Sequence, residues 1–193
     1  MQFERQVELP YETERLTLRF STADDLDDSF AFQGLDDATR YVTFNTRTRD
    51  EVREVLAERE AKYRRIENDD DALVISVVER ASNRVIGELY FMLKSVEHQH
   101  IEIGYIFNPE FHGKGYATEA SQALLEFAFD VHDAHRVTAE CDVRNPASYR
   151  VMEKLGMRRE THALEDMWFK GEWTDTYAYG ILQREWRERG TKE

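Results

Sequence analysis

The stretch EIGYIFNPEFHGKGYATEA, residues 102–120, changes from one kind of secondary structure to another within a few residues. Its first part alternates apolar and polar side chains as a strand does, up to Asn108-Pro109, where the missing proline N–H ends a ladder. From Tyr116 onward Ala120, Leu124, Phe127 and Val131 recur at helical spacing, which predicts a helix over 114–131. Between the two lies His112-Gly113-Lys114-Gly115. Two glycines let the backbone turn tightly and approach a ligand. The unbonded N–H groups of the first helical turn, together with the helix dipole, favour an anion at that point, and Lys114 adds a positive charge. The local chemistry is that of a small phosphate or diphosphate cradle. It is not a Walker A loop, because no G-x-x-x-x-G-K-[ST] string exists. It is not a dinucleotide fingerprint, because the position three residues after Gly115 is Thr118.

Working outward, ERLTLRF (14–20) alternates as a half-buried strand. The four Asp residues of STADDLDDSF crowd a helix start, where the dipole favours them. Thr48 and Glu51 form a capping-box pattern opening a helix of about 49–67. Strands follow at 72–79, 85–93 and 97–109, with short turns that imply antiparallel pairing. The helix before strand 134–143 forces a crossover, so strands 97–109 and 134–143 should be parallel. Asn145, Pro146 and Gly156 bracket a short helix. Strands at about 163–169 and 173–182 flank a Lys170-Gly171 turn. The expected fold is α/β, a mixed and mostly antiparallel central sheet with one parallel pair and flanking helices. No linker divides the chain, so 1–193 reads as one domain with a core of about 14–182 and a polar tail, 183–193.

With 26 Lys+Arg against 39 Asp+Glu, the net charge of −13 argues against wrapping nucleic acid and suits a cationic partner. The single Cys141 excludes an internal disulfide framework and a multi-Cys zinc site, and it reads as a small core residue. His98 and His100 share a strand face without an evident third ligand, so no metal is expected. No apolar run approaches the ~20 residues that span a bilayer. The charged N-terminus lacks a leader's apolar segment, so a cytoplasmic protein without membrane contact is expected.

The loop in its GKGYATEA form resembles the acetyl-CoA motif of the GNAT N-acetyltransferases, [Q/R]-x-x-G-x-[G/A]. TERLTLR near the start, RNPASYRVMEKLGM at 144–157 and the GEWTDTYAY stretch near the end resemble the subgroup that includes the ribosomal-protein N-terminal (alanine/serine) acetyltransferases. The resemblance covers about 14–182. It implies a fold in which strand 100–108 splays from strand 134–142. The pantetheine arm of acetyl-CoA then lies in the split against the backbone near Ile106 and Phe107. The pyrophosphate sits over His112, Gly113, Lys114, Gly115, Tyr116, Ala117 and Thr118. Asn145, Ser148 and Arg150 line the other wall. Two positions depart from the pattern. His112 stands where the family has Gln or Arg, and Met152 stands where many members have the Tyr that protonates the departing thiolate. Ser148, matching the ribosomal subgroup, is the candidate acid, with Tyr149 second. The cationic residues Arg144, Arg150, Lys154, Arg158 and Arg159 make an island suited either to CoA phosphates or to nearby acids.

The activity implied is transfer of acetyl from acetyl-CoA to a primary amine, a protein N-terminus or a small cationic amine, by direct attack. A base must take the amine's proton. Glu102, on the face opposite Ile101 and Ile103, is the first candidate, ahead of Glu88 on the expected neighbouring strand, with Glu165 and Asp166 as alternatives. A backbone N–H near Phe107 would polarise the thioester. A CoA-binding or sensing module without chemistry is the alternative that Met152 suggests, and a longer-chain acyl-CoA is another. Relatives of this kind are often homodimers. Residues of about 21–50 and 160–180 would supply acceptor loops.

Overall fold

A computed structural model describes residues 7–189. Eight strands form one sheet in the order β1-β2-β3-β4-β5-β6-β8-β7. They are β1 (Tyr11–Glu12), β2 (Leu16–Phe20), β3 (Ala72–Glu79), β4 (Arg84–Ser95), β5 (His100–Phe107), β6 (Arg136–Asp142), β7 (Arg158–Phe169) and β8 (Glu172–Leu182). Every neighbouring pair is antiparallel except β5–β6, which is parallel. The helices are α1 (Leu26–Gln33), α2 (Asp36–Thr39), α3 (Arg49–Lys62), α4 (Tyr116–Glu126), α5 (Pro146–Lys154) and α6 (Gln183–Arg189).

The sheet has a helical layer on each face, and strand alternation decides which residue meets which layer. Leu89, Phe91 and Leu93 of β4, with Ile101 and Ile103 of β5, join Ala120, Ala123 and Leu124 of α4 in the main core. The alternate residues of β4 meet α1 and α3. Glu88 there is fully buried, yet Arg59 Nη2 donates to its Oε2 at 2.8 Å, Arg59 Nη1 donates to Oε1, and Gln33 Nε2 donates to Oε1 at 2.7 Å. Arg47 Nη1 donates to Gln33 Oε1 at 2.6 Å. Charges withdrawn from water persist only when paired and hydrogen-bonded. This network therefore fixes α1, the loop before α3, and α3 itself to one point on the sheet.

The crossover produces the parallel pair expected from the sequence. Helix α3 ends earlier than its periodicity suggests, at Lys62, because the chain leaves the helix to insert Ile66 into the core. The helix opened by the glycine loop begins at Tyr116 rather than 114, since Gly115 is in the left-handed region, and its last turn, 127–131, winds as a π-helix. The Asp cluster acts at helix starts. Asp25 closes a capping box with Thr22 and pairs with Arg19, while Asp28 accepts from Val85 N. The segment read as a polar tail includes α6, whose Trp186 stacks on Phe129 at 5.5 Å.

Candidate active site

Strands β5 and β6 share three rungs, His100 with Arg136, Ile101 with Val137 and Glu102 with Thr138. Beyond the third rung they part, while β5 stays paired to β4 through Phe107 and β6 to β8 through Asp142. The result is a split inside a continuous sheet. Backbone alternation shows which β5 groups face it. Asn108 N donates to Ile86 O on β4 at 2.9 Å, and Gln99 O accepts from His135 N beside β6 at 2.9 Å. Even-numbered residues of β5 thus turn their backbone toward β4, and odd-numbered ones toward β6. This corrects the expectation for Ile106: its backbone faces β4 and its side chain is buried below α1. Phe107 turns its N–H and C=O into the split. His112 Nε2 lies 3.1 Å from Phe107 O, so the ring meets the carbonyl and leaves the N–H as the free group.

The glycine loop lies at the mouth of the split. Gly113 and Gly115 have φ of 76° and 83°, the left-handed backbone that glycine adopts without strain. Glu119 N, donating to Gly115 O at 3.1 Å, opens the helical ladder. The N–H groups of Tyr116, Ala117 and Thr118 precede it, as the first donors of any helix do. A Cβ at Gly113 would meet nothing within 4 Å, so the loop has an open side. Open space beside unbonded amides at a positive helix end fits a diphosphate. Lys114 is exposed, its ammonium 4.8 Å from the Phe111 ring centroid.

Arg15 is the residue here that sequence reading missed. Its Nη1 donates to Lys114 O at 2.9 Å, its Nε to Glu119 Oε2 at 2.7 Å, and its backbone N to Glu119 Oε1 at 2.9 Å. Thr13 Oγ1 adds a bond of 2.6 Å to Glu119 Oε1. The start of the chain thereby buttresses the loop and the first turn of α4. The only signal was the TERL motif itself, which carried no partner.

On the far wall, Asn145 caps α5, its Oδ1 accepting from Ser148 N at 3.2 Å. Its side-chain carbonyl is taken up by that cap. Ser148 Oγ donates to Tyr105 Oη at 3.2 Å, and Tyr105 Oη donates to Ser148 O at 2.8 Å. Tyr149 packs edge-on to Tyr177 at 5.9 Å, and Met152 is buried in the core. Cys141 adjoins this group, and burial pushes its thiol up to about 11, which suits a packed thiol and not a thiolate nucleophile.

The cationic island divides. Arg144 pairs with Asp142 and Glu172, Arg158 with Glu160 and Glu185, and Arg159 lies over the Tyr177 ring at 4.5 Å. Arg150 is exposed midway along α5. For Arg144 and Arg158 the balance with nearby acids is the correct reading.

Glu102 stands at the base of the split on the α1–α3 face, since it pairs with Met92 and not with the core row. Burial and the charge of Glu140 raise its pKa above the ordinary carboxylate range, against the pull of Lys94 at 3.7 Å. A carboxyl moved in that direction is a better proton acceptor. Glu140, two residues past Thr138, falls on the same face. Glu165 and Asp166 are exposed near the tip of the β7–β8 hairpin. His100 Nε2 is 2.7 Å from Thr138 Oγ1, and among the described residues no three His, Cys, Asp or Glu side chains cluster for a metal.

Residues 15–158 match the acetyltransferase (GNAT) domain. An N-acetyltransferase of uncharacterized role, YnaD of Bacillus subtilis (strain 168), is 44% identical over 117 residues, 61% of this chain and 68% of its own. The crystal structure of a GNAT-family acetyltransferase from Bacillus anthracis is 32% identical, covers 90% of this chain and 98% of its own, and superposes with a TM-score of 0.81. The Vibrio cholerae spermidine N-acetyltransferase in complex with CoA and spermine shares the fold, with a TM-score of 0.75 at 23% identity over 91% of this chain and 99% of its own. The domain match spans most of the chain, and the chain belongs to the GNAT family of acyl-CoA-dependent acetyltransferases.

Proposed function

We propose that the chain moves the acetyl group of acetyl-CoA to the primary amine of a cationic acceptor, either a protein N-terminus or a small amine. The observation that carries this reading is the split itself: the β5–β6 ladder ends at Glu102–Thr138, with Ser148 on its α5 side and Glu102 on its α1–α3 side. Acetyl-CoA fits the split with its diphosphate on the amides of 113–118 and its pantetheine arm along β5. Arg150 is available to a phosphate.

The amine reaches the thioester from the α1–α3 side. It sheds its ammonium proton to solvent to become neutral, and Glu102 accepts the second proton, which nitrogen loses as it bonds to the carbonyl carbon. Nitrogen bonds to the carbonyl carbon, the oxyanion accepts from the Phe107 N–H, and the C–S bond breaks with its electron pair on sulfur. Ser148 donates a hydrogen bond to that thiolate. A CoA-type thiol has a pKa near the ~8.5 of cysteine, so it departs without full protonation. Glu102 and Glu140 give the acceptor side a negative field that favours a cation.

The test is incubation of the purified chain with acetyl-CoA and a panel of polyamines, amino-acid amides and peptides beginning in Ala or Ser, with free thiol followed over time. Thiol release on a cationic amine supports the reading. Tight CoA binding with no turnover on any amine would instead favour the non-catalytic module.

A further inference from the structure

Tyr105 does not belong to the motifs by which the sequence was read, yet it spans the split. It lies on β5, three residues above the last rung with β6, and its backbone turns toward the gap. Its side chain crosses to the N-terminal turn of α5 and engages Ser148 twice. The phenol donates to Ser148 O at 2.8 Å and accepts from Ser148 Oγ at 3.2 Å. The two bonds run in a ring, in which the phenol both donates and accepts and Ser148 Oγ donates. Tyr105 thus ties the strand that carries the Phe107 N–H to the helix that carries Ser148, at the one place where no ladder does so.

We propose that Tyr105 is a positioning residue for thiolate departure: it holds Ser148 Oγ at the split, and the Oγ–H turns from Tyr105 Oη to the sulfur as the C–S bond breaks. The inference rests on the reading of Ser148 given above. Throughout the step Tyr105 keeps its own proton on Ser148 O, and Ser148 keeps its proton on Oγ. What changes is the acceptor of one hydrogen bond, from a neutral phenol oxygen to an anionic sulfur. Charge-assisted bonds are about twice as strong as neutral ones, so the exchange runs downhill only when the thiolate forms. An interaction made more strongly in the transition state than before it is the kind that raises a rate.

Burial excludes the other role for this phenol. Tyr105 is raised well above the ordinary ~10 of a phenol, while the thiol it would have to protonate lies near ~8.5. Proton transfer from Tyr105 to sulfur is therefore uphill, and a neutral Tyr105 is the stable brace. Met152, at the position where many relatives have the acid, is buried and offers no proton. Ser148, on the same helix and held by Tyr105, supplies the polar group instead.

The test needs no acceptor. The thiol pKa of CoA bound to the full chain is read from ultraviolet thiolate absorbance in wild type, Ser148→Ala, Tyr105→Phe and the double variant. Loss of one hydrogen bond to the thiolate raises the bound thiol's pKa by about one unit. The expected result is that shift in Ser148→Ala, a comparable one in Tyr105→Phe with CoA affinity within about twofold, and no further shift in the double variant. A shift in Ser148→Ala with none in Tyr105→Phe overturns the inference and leaves the Ser148 reading standing. No shift in Ser148→Ala overturns both. A lower melting temperature alone in Tyr105→Phe, with the thiol pKa unmoved, marks a structural role and also overturns it. If Tyr105→Phe does not fold in buffer, the titration of all four proteins is run in a stabilising osmolyte such as sucrose, with the same outcomes deciding.

Discussion

Arg15 Nη1 donates to the carbonyl of Lys114 at 2.9 Å, joining the turn before the second strand to the glycine loop. The guanidinium also holds Glu119 and lies 4.6 Å from the centroid of the Tyr116 ring. The loop proposed to receive the diphosphate is thereby fixed from outside its own sequence. Replacing Arg15 by Gln removes the brace but no group that meets the ligand. Acetyl-CoA affinity is expected to fall by about fivefold, which corresponds to about 1 kcal/mol for a partly exposed bond, with little change in rate at saturation. Calorimetry of CoA binding beside saturation kinetics checks it. An unchanged Kd would assign Arg15 to folding alone.

The glycines should separate by mechanism. Gly115→Ala forces an alanine to φ 83°, a cost of about 1–2 kcal/mol, although its Cβ would find Arg15 Nη2 at a comfortable 3.5 Å. Its effect is expected on CoA affinity, with a modest loss of stability. Gly87→Ala is the opposite case, since its Cβ would lie 2.6 Å from Ile106 O, where the β4–β5 pairing allows no retreat. Denaturant midpoints should fall further for Gly87→Ala than for Gly115→Ala. A reversed order would contradict the crowding at Gly87.

Glu102→Gln is expected to abolish most of the amine transfer at neutral pH while stabilising the fold. The sign follows from the raised pKa: a carboxyl whose folded pKa exceeds its unfolded one contributes most when neutral, and that contribution is lost as pH rises through the folded value. The amide keeps the neutral state at every pH. Melting curves should show the variant gaining on wild type above the ordinary carboxylate range and converging with it below. Acetylation by wild type should rise with pH across the raised Glu102 pKa. A variant that is both active and no more stable would remove Glu102 from the role of base.

His132 ends the π-helical turn in the core beside Phe91, 5.5 Å between ring centroids, and burial lowers its pKa to about 4. The unfolded chain takes up this proton near pH ~6.5, so stability present above that value is lost as pH falls toward 4. The interval corresponds to about 3 kcal/mol. His132→Leu should flatten the dependence of unfolding free energy on pH between those limits. An equally steep profile in the variant would place the acid sensitivity elsewhere.

The parts legible in the sequence were those whose signals are local. Gly113 and Gly115, the Asn145-Pro146 start and the Gly156 stop of α5, and the Thr48–Glu51 box each announce themselves within a few residues. The parallel pair was legible too, because a helical crossover permits no other sense. What stayed hidden depends on distant partners. Arg15 meets Glu119, Tyr105 meets Ser148, and Gln33, Arg47 and Arg59 converge through Glu88, all across gaps in the chain that no periodicity reports. The contribution of Ile106 was misread because a strand's backbone direction alternates with its side chains, and the sequence does not say which neighbour lies on which side. Helix α3 ran short of expectation because Ile66 keeps the apolar spacing while leaving the helix.

The early end of the β5–β6 ladder has one more consequence. A peptide sheet interrupted between two strands leaves backbone donors and acceptors along the gap, of which the Phe107 carbonyl meets His112, and the pantetheine arm carries amides at roughly peptide spacing. In the proposed reaction the donor substrate would act as a missing strand, completing the sheet and leaving it once per turnover. Amide hydrogen exchange along Ile103–Phe107 should slow when CoA is added, with the neighbouring β3–β4 ladder unaffected.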